Sequence, residues 1–522
     1  MSNEKQTSNP YKGAVILAIA SVIVKLLSAI YKVPFQNLTG DEGFYVYQQV
    51  YPFYGMAIVF SFSGIPLFIS KLVSETQTLH DRENLLHEIF TLLLIIGGGV
   101  WFILQFLAEP IATLMGDVQL SGLIQSVSYF YLVIPLIAIL RGAFQGMGEM
   151  TPTGISQVLE QLTRISVILF VAFSFTAVNW SVYTMGSYAM TSAVVSGVVS
   201  CIVLFYFVKK NAHPVGQLIG FKRPTKNLIS RFKVEGLEII LLSSLMVMFQ
   251  LIDSFTVFNG LLDSGHSSSQ AIVLKAVYDR GQPFVQLGLT VALSISTSLL
   301  PTLTHYYQTE QVTKWLEGVK STLKMTITWS SATAVGLISV MPWLNIALFQ
   351  NADQYHVLQV YAMSVFFVSI SLAIQSILQS TSITSHTTKA IIISLLLKGV
   401  LNVFGVRMLG TLGSSLITVI TTALLCAMMV LQLKRKYPSI KLAPKFKQKV
   451  LVANLSMFIF VTFLRELIEV TTRTQALLGV LMLAGLGSVL YVVLIIKFKI
   501  LSTDELAELP FSSLLQKVGL LK

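Results

Sequence analysis

Charge is what this chain has least of. Only 11% of its 522 residues are charged, against 54% hydrophobic, and the mean hydropathy is +0.74, a balance no water-soluble globular protein shows. Acid is scarcer than base: 24 Asp and Glu stand against 36 Lys and Arg, for a net charge of +12. A nucleic-acid binder carries such an excess in polar basic stripes; here it is interrupted by long apolar runs, so no nucleic acid is expected as a partner. Cysteine is nearly missing. Cys201 and Cys426 both lie inside apolar runs, which excludes a disulfide framework and a thiolate metal site.

Catalytic motifs are missing as well. No phosphate-loop pattern occurs, and the GMGEM of 146–150 lies between apolar runs rather than after a strand. His87 and Glu88 lack the second histidine of a metalloprotease helix, and no Asp-x-Asp pair occurs to hold a glycosyltransferase metal. No cofactor, no metal and no enzymatic activity are expected. The polar MSNEKQTSNPYK start leads into a long apolar run with no short h-region or cleavage site, so the first span is expected to stay in the protein.

What is present is membrane-spanning helix, enough for about fourteen spans of roughly 20 residues. The apolar runs fall at 13–36, 44–73, 86–108, 121–147, 153–177, 182–208, 234–260, 271–304, 317–341, 355–381, 388–408, 412–433, 450–470 and 475–497. The expected fold is an all-α polytopic membrane protein. Some runs exceed 25 residues and the second holds Pro52 and Pro66, which favours kinked helices around a cavity. The loop 209–233 carries seven basic residues and no acid, and 434–449 carries another seven. Both are expected on the cytoplasmic face, which places both termini there too. The opposite loops carry Asp41, Glu42, Glu109, Asp117, Asp263, Asp353, Glu466 and Glu469.

The chain repeats itself. VYQQVYPF at 46–53 returns as VYDRGQPF at 277–284, and GIPLFIS at 64–70 as LLPTLTH at 299–305. Gln145 and Arg164 align with Gln379 and Lys398 at an offset of 234, and GSYAMT at 186–191 with GSSLIT at 413–418. Even-numbered repeats of six spans give two halves of like orientation with substrate between them. The expected segments are 1–231, 232–447, two extra helices at 448–500, and a tail at 501–522. The tail opens on a capping box, Ser502 and Glu505, and reads as an amphipathic surface helix or a solvated tail.

Charge inside the spans costs about 2.5–3.5 kcal/mol per residue at a helix centre and marks function by default. Lys25 and Lys32 lie seven residues apart on one face of the first span. Asp279 and Arg280 replace Gln48 and Gln49 of the first repeat, as an anion-facing pair or a local ion pair. Glu160 and Arg164, at i and i+4, are expected to neutralise each other. Lys398 has no acid at i±4 in its span and is the better cavity residue, while Arg141 and Glu149 are expected as anchors or gate contacts at the fourth-span exit. Asp253 fits either a bound cation or a cavity lysine. Bases outnumber acids.

RGAFQGMGEMTPTGISQVLEQLTRI (141–165), the basic first span before GDEGF (40–44) and YDRGQPFVQLGLTVALSISTSLLP (278–301) resemble the lipid II flippases of the MurJ and YtgP type, in the multidrug/oligosaccharidyl-lipid/polysaccharide exporter superfamily. The resemblance implies two lobes of seven spans around a central cationic cavity and alternating access. It implies a bacterial plasma-membrane flippase for undecaprenyl-pyrophosphate-linked peptidoglycan precursor, with membrane lipids and the cell-wall synthesis machinery as partners. By resemblance Lys25, Lys32, Asp279 and Arg280 take the substrate positions, while Met56 and Pro283 stand where the family has a base and an acid. Asp253, Asn402 and Thr418 or Thr422 approximate a sodium site whose second acid is Val406 here. Spans 13 and 14 become a groove for the isoprenoid tail. Another polyprenyl-linked glycan, or a multidrug/cation antiporter, is the alternative; an antiporter wants carboxylates in its cavity. A membrane scaffold needs no cavity charge.

Overall fold

The computed structural model describes residues 10–381, 385–502 and 505. Among the described residues the regular structure is helical throughout: α1 (Pro10–Ile30), α2 (Lys32–Ile58), α3 (Gly64–Ser74), α4 (Leu79–Phe106), α5 (Ala108–Leu114), α6 (Ser121–Ser128), α7 (Phe130–Gly146), α8 (Met150–Val178), α9 (Val182–Lys210), α10 (Val215–Leu218), α11 (Lys226–Arg231), α12 (Leu237–Asp263), α13 (Ser268–Asp279), α14 (Gly281–Gln308), α15 (Val312–Phe349), α16 (Tyr355–Ala362), α17 (Ser364–Ser380), α18 (Ser385–Lys436), α19 (Pro444–Glu466) and α20 (Arg473–Lys497).

Eleven described segments are long and apolar enough to cross a bilayer. Two of them, Ile19–Ser74 and Thr387–Lys436, hold 56 and 50 residues. Straight helices of those lengths would run roughly 84 and 75 Å, more than twice a hydrocarbon core of about 30 Å, so each must double back. Each does so at a glycine: Gly40 (φ 72°, ψ −177°) and Gly410 (φ 59°, ψ −142°), in backbone conformations a Cβ disfavours. With α14 the crossings come to fourteen, the expected number.

The chain divides into two compact units, at 276/277. In the first, α8 packs on α1 and α9, α3 and α4 on α7, and α12 on α2 and α3. In the second, α14 packs on α15 and α17, α17 on α18, and α19 and α20 on α15. This division groups the seventh span with the first unit, where it lies against the second span; Val247 sits where a Cβ on Gly55 would fall. The two extra helices expected at 448–500 pack on α15. Met457, Val461, Leu483 and Tyr491 join Trp343 and Val340 of α15 in one apolar cluster.

The repeat has a structural counterpart. The fourth span breaks between α6 and α7 at Tyr129 (φ −59°, ψ −25°), and the tenth between α16 and α17 at Met363 (φ −60°, ψ −26°). The two breaks are 234 residues apart, the offset of Arg164 from Lys398. The second span is broken differently. Pro66 lacks an N–H, so it can serve neither the Phe62 carbonyl four residues back nor the Ser61 carbonyl five back. The chain relaxes into a π-helical turn over Val59–Ser63, with the Gly64 N–H reaching back to the Val59 carbonyl. At the far end the Ser502 and Glu505 capping box forms: Ser502 N–H donates to Glu505 Oε2 at 2.7 Å and Glu505 N–H to Ser502 Oγ at 3.2 Å. The rest of the expected tail helix, 506–522, lies outside the described residues.

Candidate functional site

In the first unit, α2 carries Tyr47, Tyr51 and Tyr54 at i, i+4 and i+7, a spacing that puts three rings on one face. Arg164 of α8 meets that face. Its Nη2 donates to Tyr47 Oη at 2.7 Å and to Tyr31 Oη at 3.2 Å, and its guanidinium carbon lies 3.7 Å from the Tyr54 ring centroid. The Tyr31 and Tyr47 hydroxyls are 3.1 Å apart. Lys32 Nζ sits 4.1 Å above the Tyr51 ring, in a residue that is 0% exposed. Arg164 thus rests on tyrosine faces and hydroxyls, and Lys32 on a tyrosine face, contacts that stabilise a cation.

The expected Glu160–Arg164 ion pair is not what forms. Glu160 Oε2 pairs with Arg141 Nη2 of α7 at 2.8 Å, both groups being buried. Arg141 is therefore a core residue rather than an anchor at the span exit. Its Nε donates to Ser156 Oγ at 3.0 Å, its Nη1 to the Ser61 carbonyl at 3.0 Å and its Nη2 also to Ser200 Oγ at 2.9 Å. The reason is geometric: an i, i+4 pair lies side by side on its helix, whereas a guanidinium from the next helix arrives fork first and meets three acceptor types at once. Arg164 turns instead to the tyrosines. Glu149 is held near the surface by Asn211 Nδ2 at 2.5 Å and His213 Nε2 at 3.0 Å.

Lys25 and Lys32, expected on one helix face, fall on α1 and at the start of α2, Lys25 being exposed and Lys32 enclosed. Asp253 is buried on α12, one residue before Ser254, whose carbonyl accepts from Gln49 Nε2 at 2.8 Å.

In the second unit Lys398 Nζ donates to Thr418 Oγ1 at 2.6 Å. Thr418 leans on the Ser414 carbonyl at 2.9 Å, and Ser414 Oγ donates to Tyr278 Oη at 3.0 Å. Tyr278 is the repeat-mate of Tyr47 as Lys398 is of Arg164, so each unit connects its matched cation to its matched tyrosine, directly in one and, in the other, through Thr418 and the carbonyl and hydroxyl of Ser414. Arg280 Nη1 donates to Asn351 Oδ1 at 2.6 Å and Asn345 Oδ1 at 3.3 Å, with its guanidinium carbon 4.9 Å from the Phe349 ring. Asp279 Oδ1 accepts from Gln282 Nε2 at 3.3 Å. Asn402 is buried. Asp253 belongs to the first unit, Asn402 and Thr418 to the second.

Sequence reasoning missed the tyrosines, the serines around Arg141, and Asn345 and Asn351. The tyrosines had a signal in their i, i+4, i+7 spacing; the asparagines, some seventy residues from Arg280, had none.

Residues 11–307 match the family described as "Polysaccharide biosynthesis protein". The chain is 34% identical over 513 residues to the uncharacterized membrane protein YabM of Bacillus subtilis, covering 97% of this chain and 96% of that one. It is 24% identical over 438 residues to the lipid II flippase MurJ of the same organism, covering 79% and 80%. Stage V sporulation protein B of B. subtilis is 31% identical over 205 residues, 38% of this chain and 39% of that one. The fold is that of the solved lipid II flippase MurJ in its inward closed conformation, with TM-score 0.67, 16% identity and coverage of 92% of this chain and 98% of that one.

Proposed function

We propose, since the chain belongs to the polysaccharide biosynthesis protein family, that it is a flippase moving undecaprenyl-pyrophosphate-linked peptidoglycan precursor, lipid II, from the inner to the outer leaflet by alternating access. The observation that carries this reading is the tyrosine-faced cation cluster of the first unit. Glu160 is taken by Arg141, and among the described residues Arg164 Nε and Tyr54 Oη have no hydrogen-bond partner. Buried donors beside Arg164, whose own hydrogen bonds go to tyrosine hydroxyls, suit a polyanion such as pyrophosphate, and suit an organic cation badly, which weighs against a multidrug antiporter. Lys25, Lys32, Asp279, Arg280 and Lys398 are the other residues assigned to the substrate path. The exposed Leu477, Leu478 and Leu481 of α20 and Leu451, Leu455 and Ile459 of α19 suit a long apolar tail alongside the protein. The protein sits in the bacterial plasma membrane with both termini in the cytoplasm.

A second reading, transport of another polyprenyl-linked glycan such as a teichoic or spore-envelope intermediate, draws support from the similarity to stage V sporulation protein B and from the greater identity to YabM than to MurJ. The deciding experiment depletes the protein in cells and asks which lipid-linked precursor accumulates on the inner leaflet. Accumulated lipid II upholds the first reading; a different glycan with lipid II unchanged replaces it with the second.

A further inference from the structure

At the π-helical turn of Val59–Ser63, Pro66 can donate to neither the Ser61 carbonyl five residues back nor the Phe62 carbonyl four back. Both are met from outside. Arg141 Nη1 reaches the Ser61 carbonyl at 3.0 Å and Gln157 Nε2 the Phe62 carbonyl at 3.3 Å, while the Arg141 guanidinium carbon lies 4.5 Å from the Phe62 ring centroid. The remaining donors of Arg141 go to Ser156 and Glu160 on α8 and Ser200 on α9. One guanidinium on α7 therefore holds the bend of the second span against two further helices.

The bend separates two different jobs. On its far side α2 carries Tyr47, Tyr51 and Tyr54, the face that receives Arg164 and Lys32. On its near side α3 carries Lys71, paired with Glu235 at 2.8 Å, and Glu75 beyond it is paired with Arg231 at 2.8 Å. In the second repeat, 234 residues on, the positions of Arg141 and Glu160 hold Gln375 and Ser394. The two charges are present together in one half and absent together from the other.

We infer that Arg141 is a positioning residue: by closing on the Ser61 carbonyl it fixes the bend of the second span, and so sets the tyrosine face of α2 against Arg164. Its link to transport rests on the proposed flippase reading; its effect on the bend does not. Two variants separate this role from that of a plain ion pair. Arg141→Lys keeps the charge opposite Glu160, but a point charge cannot span Ser61, Ser156, Ser200 and Glu160 together. Arg141→Gln combined with Glu160→Gln removes both charges and leaves no lone carboxylate, close to what the second repeat has.

The full-length protein and both variants are placed in nanodiscs of phosphatidylethanolamine and phosphatidylglycerol, and amide exchange of the 59–65 segment is followed by mass spectrometry. Lipid II carrying a fluorescent label is followed in proteoliposomes. The expected result is at least tenfold faster exchange over 59–65 in both variants, with exchange in α8 and α9 unchanged, and at least tenfold slower flipping. Unchanged exchange at 59–65, a rise spread evenly over the whole chain, or faster local exchange with wild-type flipping would each overturn the assignment. If the wild-type protein does not flip lipid II, the proposed substrate falls, and the exchange of the 59–65 segment still decides whether Arg141 sets the bend.

Discussion

Arg141 and Arg164 lie on neighbouring helices with the same side chain and opposite fates, one closed around a carboxylate and one left cationic among phenols. The distinction is measurable. Breaking a buried pair from one side strands the other charge and costs about 3–5 kcal/mol, so Glu160→Gln should lower the thermal unfolding midpoint in detergent. Arg141→Gln with Glu160→Gln should cost less than the sum of the single changes, as contacting residues do; an additive pair would contradict the contact. Arg164→Ala should lower the unfolding midpoint through the cavity it leaves and, in protein that still folds, cut transport by roughly ten- to a hundredfold, since charge-assisted contacts are worth about 1.5–3 kcal/mol. Arg164→Lys should retain part of the flux, and wild-type rates in the alanine variant would remove Arg164 from the site.

The helical elements were legible in the sequence because a bilayer imposes a length on apolar runs, and all fourteen runs have helices. Loop glycines at 40 and 410 end spans where the runs end. The partner of Glu160 was not legible: spacing along one helix proposed Arg164, and only packing brings Arg141, nineteen residues away, into reach. Two elements carry their own tests. After the turn at Gly410 the chain passes so close to itself that a Cβ on Gly413 would fall 1.9 Å from the Gly405 carbonyl oxygen, so Gly413→Ala should sharply reduce folded yield on size-exclusion chromatography. Ahead of the apolar stretch Ser243–Asp263, hydrogen bonds from Arg231 and then Lys71 hold the Glu235 carboxyl down to about 2. A carboxylate depressed by folding contributes stability above its unfolded value and loses it as pH falls toward the folded one. Wild type should therefore lose its advantage over Glu235→Gln between about pH 4.5 and 2, read by thermal unfolding across that range; a constant gap would break the link.

For the whole molecule, the expected orientation is checked by single cysteines. Cys201 and Cys426 are buried, so background labelling is low; cysteines at Lys222 and Lys441 should be shielded from an impermeant thiol reagent in intact cells, and one at Asp353 labelled. In the proposed cycle a pyrophosphate diester with about two negative charges gains roughly 4.6 kcal/mol per 100 mV on leaving a negative interior. A potassium-diffusion potential without sodium should then drive lipid II movement in liposomes, whereas flux that needs sodium and ignores the sign of the potential would reject this drive. The Lys398 contact with Thr418 bears on the same point. A free ion stores energy for a carrier by arriving from one compartment and leaving into another, and its occupancy follows its concentration. An ammonium on a four-carbon stem does neither: its effective concentration beside Thr418 is set by the chain, and it has no second compartment to enter. A tethered cation is loaded in every turnover, so a salt gradient does no work through the position that Lys398 occupies beside Thr418.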